Sequence, residues 1–92
     1  MKILLPNGSI VLLNDAVKRL MICGWYPEDE DGKTYDYMGI FHPEGFVSIE
    51  YIFLFNHEDV KEVNFVGYND SEFQVFAKRV TDELETRKNG ET

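Results

Sequence analysis

The chain has few of the residues on which small catalytic or metal-binding proteins depend. It contains one cysteine, Cys23, and two histidines, His42 and His57, in 92 residues. One cysteine excludes an internal disulfide framework. A zinc site needs three or four convergent ligands, and neither histidine has a second His or Cys at ligand spacing. We therefore expect no bound metal and no cofactor.

Basic residues and long apolar runs are also scarce. Nine Lys and Arg stand against seventeen Asp and Glu, which gives a formal net charge of −8. Nucleic acids and anionic membranes are bound through clustered positive charge, so the composition disfavours both partners. No run approaches the roughly 18 apolar residues of a membrane span, and residues 1–6 stop short of the apolar region of a signal peptide. We expect a cytoplasmic protein without membrane insertion.

What the chain does contain is a large apolar and aromatic fraction. Hydrophobic residues make up 43%, including seven Phe, five Tyr and one Trp. Disordered chains lack the apolar area that offsets the entropy of ordering, so this composition predicts a folded domain. The length suits one domain and not two. We expect a single domain over residues 1–92, with a β-rich part over 3–67 and a C-terminal helix over about 70–88.

Short β-type runs separated by turn residues fill the first two thirds of the chain. The predicted strands are 9–13, 19–26, 34–41, 46–55 and 63–66, divided by Pro, Asn and Gly residues that favour turns. Continuous apolar stretches within them predict burial on both faces of the sheet. The expected fold class is α+β, mainly β: a small antiparallel sheet or a partly open SH3-like barrel of about five strands, plus a C-terminal amphipathic helix.

Two helix starts share one pattern, in which an Asn precedes an acidic residue by three positions. Asn56 precedes Asp59, and Asn69 precedes Glu72. Each pair predicts a capping box, flanked by apolar residues that form a hydrophobic staple. The first helix has room for a turn or two, whereas the second continues to the Asn89-Gly90 stop. It carries a one-sided apolar stripe at helical spacing: Phe73, Phe76, Ala77, Val80 and Leu84.

The sequence does not support either of two candidate functional sites, a calcium-binding loop and a nucleophilic cysteine. Residues 28–33 form an acidic loop that could suggest a calcium site. An EF-hand with its glycine at Gly32 would place Pro27 and Met38 where acidic ligands are required, so we interpret this acidic loop as solvated. A nucleophilic Cys23 would need a helix N-terminus or a nearby cation to lower its thiol pKa, and its sequence neighbours are apolar. We expect no enzyme activity.

The remaining signal is an excess of aromatic residues over what one small core can hold. Most of them fit a core with some half-exposed Tyr, but Tyr, Trp and Phe are also enriched at protein interfaces, and self-association would bury the same surface. The candidate protein-binding residues are Trp25, Tyr26, Tyr35, Tyr37, Phe46, Phe73, Phe76, Val80 and Leu84.

Five segments in this order resemble a known family: Leu5–Leu13, Lys18–Gly24, Tyr35–Gly39, Pro43–Gly45 and Phe55–Tyr68. Together they resemble a small bacterial domain-of-unknown-function family encoded in Gram-positive type VII secretion loci, close to LXG-toxin genes. The resemblance covers roughly residues 4–76 and brings no catalytic residues with it.

The resemblance implies an accessory role. It favours a non-enzymatic chaperone, adaptor or targeting factor that binds a secreted effector or a secretion component. One alternative is an immunity protein whose acidity complements a basic toxin domain. Another is a small hydrolase that uses Cys23.

Overall fold

The computed structural model describes residues 4–90, with the side chains of the final helix described through Arg87. Ile3, where the β-rich part was expected to begin, lies outside the described residues. The strands are β1 (Ile10–Leu13), β2 (Leu20–Trp25), β3 (Tyr37–Phe41), β4 (Phe53–Phe55) and β5 (Val60–Phe65). Single 3-10 turns occupy Ile49–Tyr51 and His57–Asp59, and one α-helix, α1, spans Ser71–Gly90.

The five strands form one antiparallel sheet in the order β4-β3-β2-β1-β5. Successive strands from β1 to β4 are neighbours, and β5 returns to pair with β1. Strands β4 and β5 form the two edges of this sheet, which is therefore open. Of the two architectures that the sequence allowed, the structure has the open sheet, and the α+β class is confirmed.

The strand bounds differ from the predicted ones mainly in the connection before β4. The sequence predicted one strand over 46–55, but only Phe53–Phe55 pairs with β3. Phe46, Val47 and Ile49 are exposed, and a 3-10 turn begins at Ile49. Apolar, β-branched residues favour a strand only where a neighbouring strand supplies the hydrogen-bonded ladder. Strand β4 pairs with Tyr37, Met38 and Gly39 of β3, whereas Phe41 forms an isolated bridge with Gly45 in the turn before Phe46.

The hydrophobic core lies on one face of the sheet. Val11, Ile22 and Tyr37 have no exposed surface, and Leu20 and Phe55 are nearly as deep. These residues form one cluster with Leu4. Burial on both faces, which the apolar runs predicted, does not occur throughout: Ile10, Leu12 and Met21 stay half-exposed. The reason is that α1 packs against the same cluster and does not cover the opposite face.

The N-terminal cap of helix α1 lies one residue later than predicted, and the helix begins at Ser71. Asp70 is the capping residue, because its Oδ1 accepts the N–H of Phe73 at 2.9 Å. Asn69 instead accepts a side-chain hydrogen bond from Gln74 at 3.0 Å. The earlier capping box is as predicted, with the Asn56 N–H donating to Asp59 at 2.8 Å. At its other end, α1 includes both residues of the predicted Asn89-Gly90 stop.

Candidate functional site

Trp25, the last residue of β2, is the point at which the sheet meets α1. Its ring lies 5.5 Å from that of Phe73 and 5.6 Å from that of Phe76, both at tilted angles. Its Nε1–H donates to the Leu5 carbonyl at 2.9 Å, so the polar atom of the indole is satisfied within the protein. The ring is thereby held in one orientation, with helix residues packed on it.

Tyr26, the next residue, is turned toward the helix by an unusual backbone conformation. Its φ is +55°, a left-handed value that costs an ordinary residue about 1–2 kcal/mol. The backbone N–H of Tyr26 donates to the Asp36 carbonyl at 3.0 Å, and its hydroxyl shares a 2.8 Å hydrogen bond with Thr81 on α1. This bond ties the helix to the end of β2 at a second point.

Two clefts open on either side of the contact between Trp25 and Phe76. They share Asn7, Trp25 and Phe76 as lining residues. One cleft, of about 450 Å³, extends along α1 to Val80 and Leu84. The other, of about 520 Å³, extends toward the helix start and is bordered by Tyr68 and Phe73. We call the two clefts together the Trp25 groove.

The Trp25 groove is lined by aromatic and aliphatic side chains together with polar ones, and most of its charged lining residues are acidic. Glu28 and Glu83 line the first cleft together with one base, Arg87. Asp70 and Glu72 line the second. The groove thus combines exposed aromatic surface with an excess of carboxylates. Phe76 is 46% exposed and Tyr68 83% exposed, so both are available to a ligand.

The structure brings six of the nine candidate residues together in this groove. They are Trp25, Tyr26, Phe73, Phe76, Val80 and Leu84. The other three lie elsewhere. Tyr37 is fully buried in the core and is therefore no surface residue. Tyr35 lies in the acidic loop beside Lys33 and Asp29, and Phe46 is exposed in the connection before β4.

Sequence reasoning missed the polar border of the groove. Glu83 and Arg87 follow Phe76 and Val80 at helical spacing, so the helix pattern did carry a signal for them. Asn7, by contrast, belongs to the first turn, Pro6-Asn7-Gly8, and its sequence pattern predicts only a turn, although it lines the groove. Its approach to the helix depends on how the first turn packs on the sheet, and no local pattern encodes that approach.

Outside the groove, the side chains of Tyr37 and His57 are hydrogen-bonded to each other. The Tyr37 hydroxyl accepts the Leu5 N–H at 3.0 Å and is joined to His57 Nδ1 by a 2.7 Å hydrogen bond. Burial raises the pKa of Tyr37 to about 12. Burial also raises the pKa of the Cys23 thiol, which lowers the share of reactive thiolate near neutral pH. No group of three metal-ligating side chains occurs within residues 4–90.

Comparison with known families confirms that the chain resembles a domain-of-unknown-function family. The DUF4176 family, a domain of unknown function, matches residues 4–76. The chain belongs to the DUF4176 family. The match ends at Phe76, so the DUF4176 segment contains the sheet and the helix start, while Val80, Glu83 and Leu84 lie beyond it. No curated protein and no solved structure shows significant similarity to the chain. In the described part of the chain, no helix is long and apolar enough to cross a bilayer.

Proposed function

We propose that this DUF4176 protein is a non-enzymatic, protein-binding accessory in type VII secretion of LXG-type effectors. It acts in the cytoplasm as a chaperone, adaptor or targeting factor for an effector or a component of the secretion machinery. The secretion context rests on the family resemblance of the sequence, and the binding role rests on the surface of the molecule.

The observation that supports a binding role is the Trp25 groove. Aromatic side chains of Phe76 and Tyr68 are left exposed beside the partly buried Trp25. Aromatic residues are enriched at protein interfaces relative to the rest of the protein surface. The raised pKa of Cys23 and the hydrogen bond that engages His57 favour this role over thiol catalysis.

Co-expression with an LXG protein encoded at the same locus tests the proposal. We expect the two proteins to co-purify in a fixed ratio, and deletion of the gene to reduce export of that LXG protein. The proposal fails if no LXG protein or secretion component from the locus co-purifies and export is unchanged by the deletion.

An immunity protein is the second candidate, because the acidic border of the groove and the net charge of −8 would complement a basic toxin domain. This role predicts that the protein rescues the growth of cells that express the toxin domain alone. An accessory that acts in export would co-purify with the effector but would leave those cells unprotected.

A further inference from the structure

We propose that the Trp25 groove binds a segment of the partner protein in which an apolar anchor is flanked by lysine or arginine residues. This inference rests on the proposed protein-binding role and adds to it the site and the chemistry of the recognised segment. The anchor packs against the exposed side of Phe76, beside its contact with Trp25, and the basic residues reach the carboxylates at either end.

The shape of the groove supports an apolar anchor. Phe76 contacts Trp25 on one side and leaves nearly half of its surface exposed. The two clefts that open beside this contact extend in different directions along α1. An extended segment that crosses the contact can therefore place side chains in both clefts, and burial of its anchor adds the apolar contact.

The charge of the groove selects the residues beside the anchor. Glu28 and Glu83 border one cleft, and Asp70 and Glu72 border the other, against a single base, Arg87. A basic residue on each side of the anchor would meet a carboxylate at each end, whereas an acidic segment would be repelled. Over a longer range, the net charge of −8 also attracts a basic segment to the protein and repels an acidic one.

A second copy of this chain is a poor occupant by the same criterion. In the described residues, the basic pair that precedes an apolar strand is Lys18 and Arg19. Lys18 forms an ion pair with Glu44 at 2.7 Å, and Arg19 Nε donates to Asn64 at 3.0 Å. Both cations thus have partners within their own chain. Two copies, each strongly acidic, would also repel one another.

Peptide binding to the full-length protein tests the inference. The probe is a fluorescein-labelled Lys-Lys-Leu-Phe-Lys-Lys peptide, compared with the same peptide carrying Gln in place of Lys. We expect the lysine-flanked probe to bind about tenfold more tightly at low salt, and this preference to shrink as salt screens the charges. Equal binding of the two probes, or binding of neither, overturns the inference.

Matched variants then locate the binding. Glu28→Gln, Glu72→Gln and Glu83→Gln together remove three exposed charges from the groove, and we expect about tenfold weaker binding of the lysine-flanked probe. The control, Asp15→Asn with Glu50→Gln and Glu58→Gln, removes three exposed charges elsewhere. We expect less than about a threefold effect from it. Equal losses of affinity in the two triple variants would show that net charge drives the binding, and would overturn the assignment of the binding site to the groove.

A second pair of variants tests the apolar contact with Phe76. Phe76→Ser removes the exposed ring beside Trp25, and Val75→Ser is the control on the neighbouring, 71% exposed position. We expect only the first to abolish probe binding, with the far-ultraviolet circular dichroism of both variants unchanged. Equal binding of the probe by the two variants would overturn the assignment of the binding site to the groove.

The same variants separate the inference from the proposed function. If an LXG protein co-purifies with wild-type protein and with every groove variant, the accessory role stands and the groove is not its site. If the probe binds in the groove while no partner from the locus co-purifies, the recognition chemistry stands and the secretion role falls.

Discussion

Gly67 lies at a position where any side chain would collide with the backbone. A Cβ built on Gly67 would overlap the Asn7 carbonyl and lie 3.1 Å from the Ser9 nitrogen. The Gly67 N–H donates to Ser9 Oγ at 2.9 Å, and Ser9 is fully buried. This contact joins the end of the sheet to the first turn and so sets the position of Asn7 in the Trp25 groove.

We predict that Gly67→Ala lowers the free energy of unfolding by about 3 kcal/mol, at the upper end of the range for overpacking. The backbone of Asn7 and Ser9 must move, since no flexible side chain can give way. Urea unfolding followed by Trp25 fluorescence measures the loss. Gly32→Ala is the control: its φ of +83° makes Ala cost about 1–2 kcal/mol, but nothing lies within 4 Å. Equal losses would contradict the steric argument.

Tyr37 is the other residue whose environment leads to a measurable expectation. Its ring packs on that of Phe55 at 5.5 Å, and its hydroxyl joins Leu5 to His57. An unfolded Tyr loses its proton near pH 10, whereas burial raises the pKa of Tyr37 in the folded protein to about 12. Between these values the folded state binds more protons, so its stability falls as the pH rises.

We therefore predict that Tyr37→Phe changes the pH dependence of stability above pH 10. At neutral pH the variant loses about 1–3 kcal/mol, because the Leu5 N–H loses its buried acceptor. From pH 10 to 12 wild-type stability should fall more steeply than that of the variant, by up to about 1.4 kcal/mol per pH unit. Chemical unfolding at fixed pH values measures both slopes. Parallel curves would show that the hydroxyl titrates as it does in the unfolded chain.

At the scale of elements, the start of α1 distinguishes what the local pattern predicts from what the structure shows. Asn69 with Glu72 and Asp70 with Phe73 are both plausible caps, because Asn and Asp rank almost equally at this position. The structure uses Asp70, one residue later. Packing of Phe73 on Trp25 sets the rotation of the helix and thereby which residue can cap it.

We predict that Asp70→Ala costs about 1 kcal/mol, the usual loss of an N-cap, and lowers helicity. Asn69→Ala should cost clearly less, because it removes only an exposed side-chain hydrogen bond to Gln74. Thermal unfolding followed by circular dichroism compares the two variants. A larger loss of stability in Asn69→Ala than in Asp70→Ala would indicate that Asn69 is the cap, as the sequence pattern predicted.

Five strands in about the right places and one amphipathic helix could be read from the sequence because hydrophobic patterns and turn residues are local signals. The connection before β4 could not. Phe46 and Val47 have strand-forming side chains but no strand beside them. Likewise, six of the nine candidate residues gathered in the groove, while Tyr37 did not. The alternating Tyr residues do not by themselves indicate which ring is buried in the core.

At the scale of the whole molecule, stability is distributed unevenly. The central strands β1, β2 and β3 hold the fully buried residues Val11, Ile22 and Tyr37. Helix α1 is attached through Phe73, Ala77 and Val80 and through the hydrogen bond of Thr81, all in its first three turns. Beyond Leu84, the described side chains of α1 are exposed. Its last turns therefore depend mostly on their own helical hydrogen bonds.

We predict a gradient of amide hydrogen exchange that follows this attachment. Backbone amides of Val11, Ile22 and the other central-strand residues should be the slowest to exchange. Within α1, protection should decrease from Ala77 toward Thr86, because opening the far turns breaks no tertiary contact. Exchange measured residue by residue by NMR at neutral pH checks the gradient. Uniform protection along α1 would show that the helix opens only with the whole domain.

The sequence by itself determined the class of the domain, its acidic charge, its C-terminal helix and six of the residues that line the Trp25 groove. These properties follow from composition, periodicity and turn chemistry, which act over a few residues. Only the tertiary structure decided the strand order and the meeting of Tyr26 with Thr81, which lie 55 positions apart. The Trp25 groove belongs to this second group. Its walls come from distant parts of the chain, and the packing of the helix on the sheet alone brings them together.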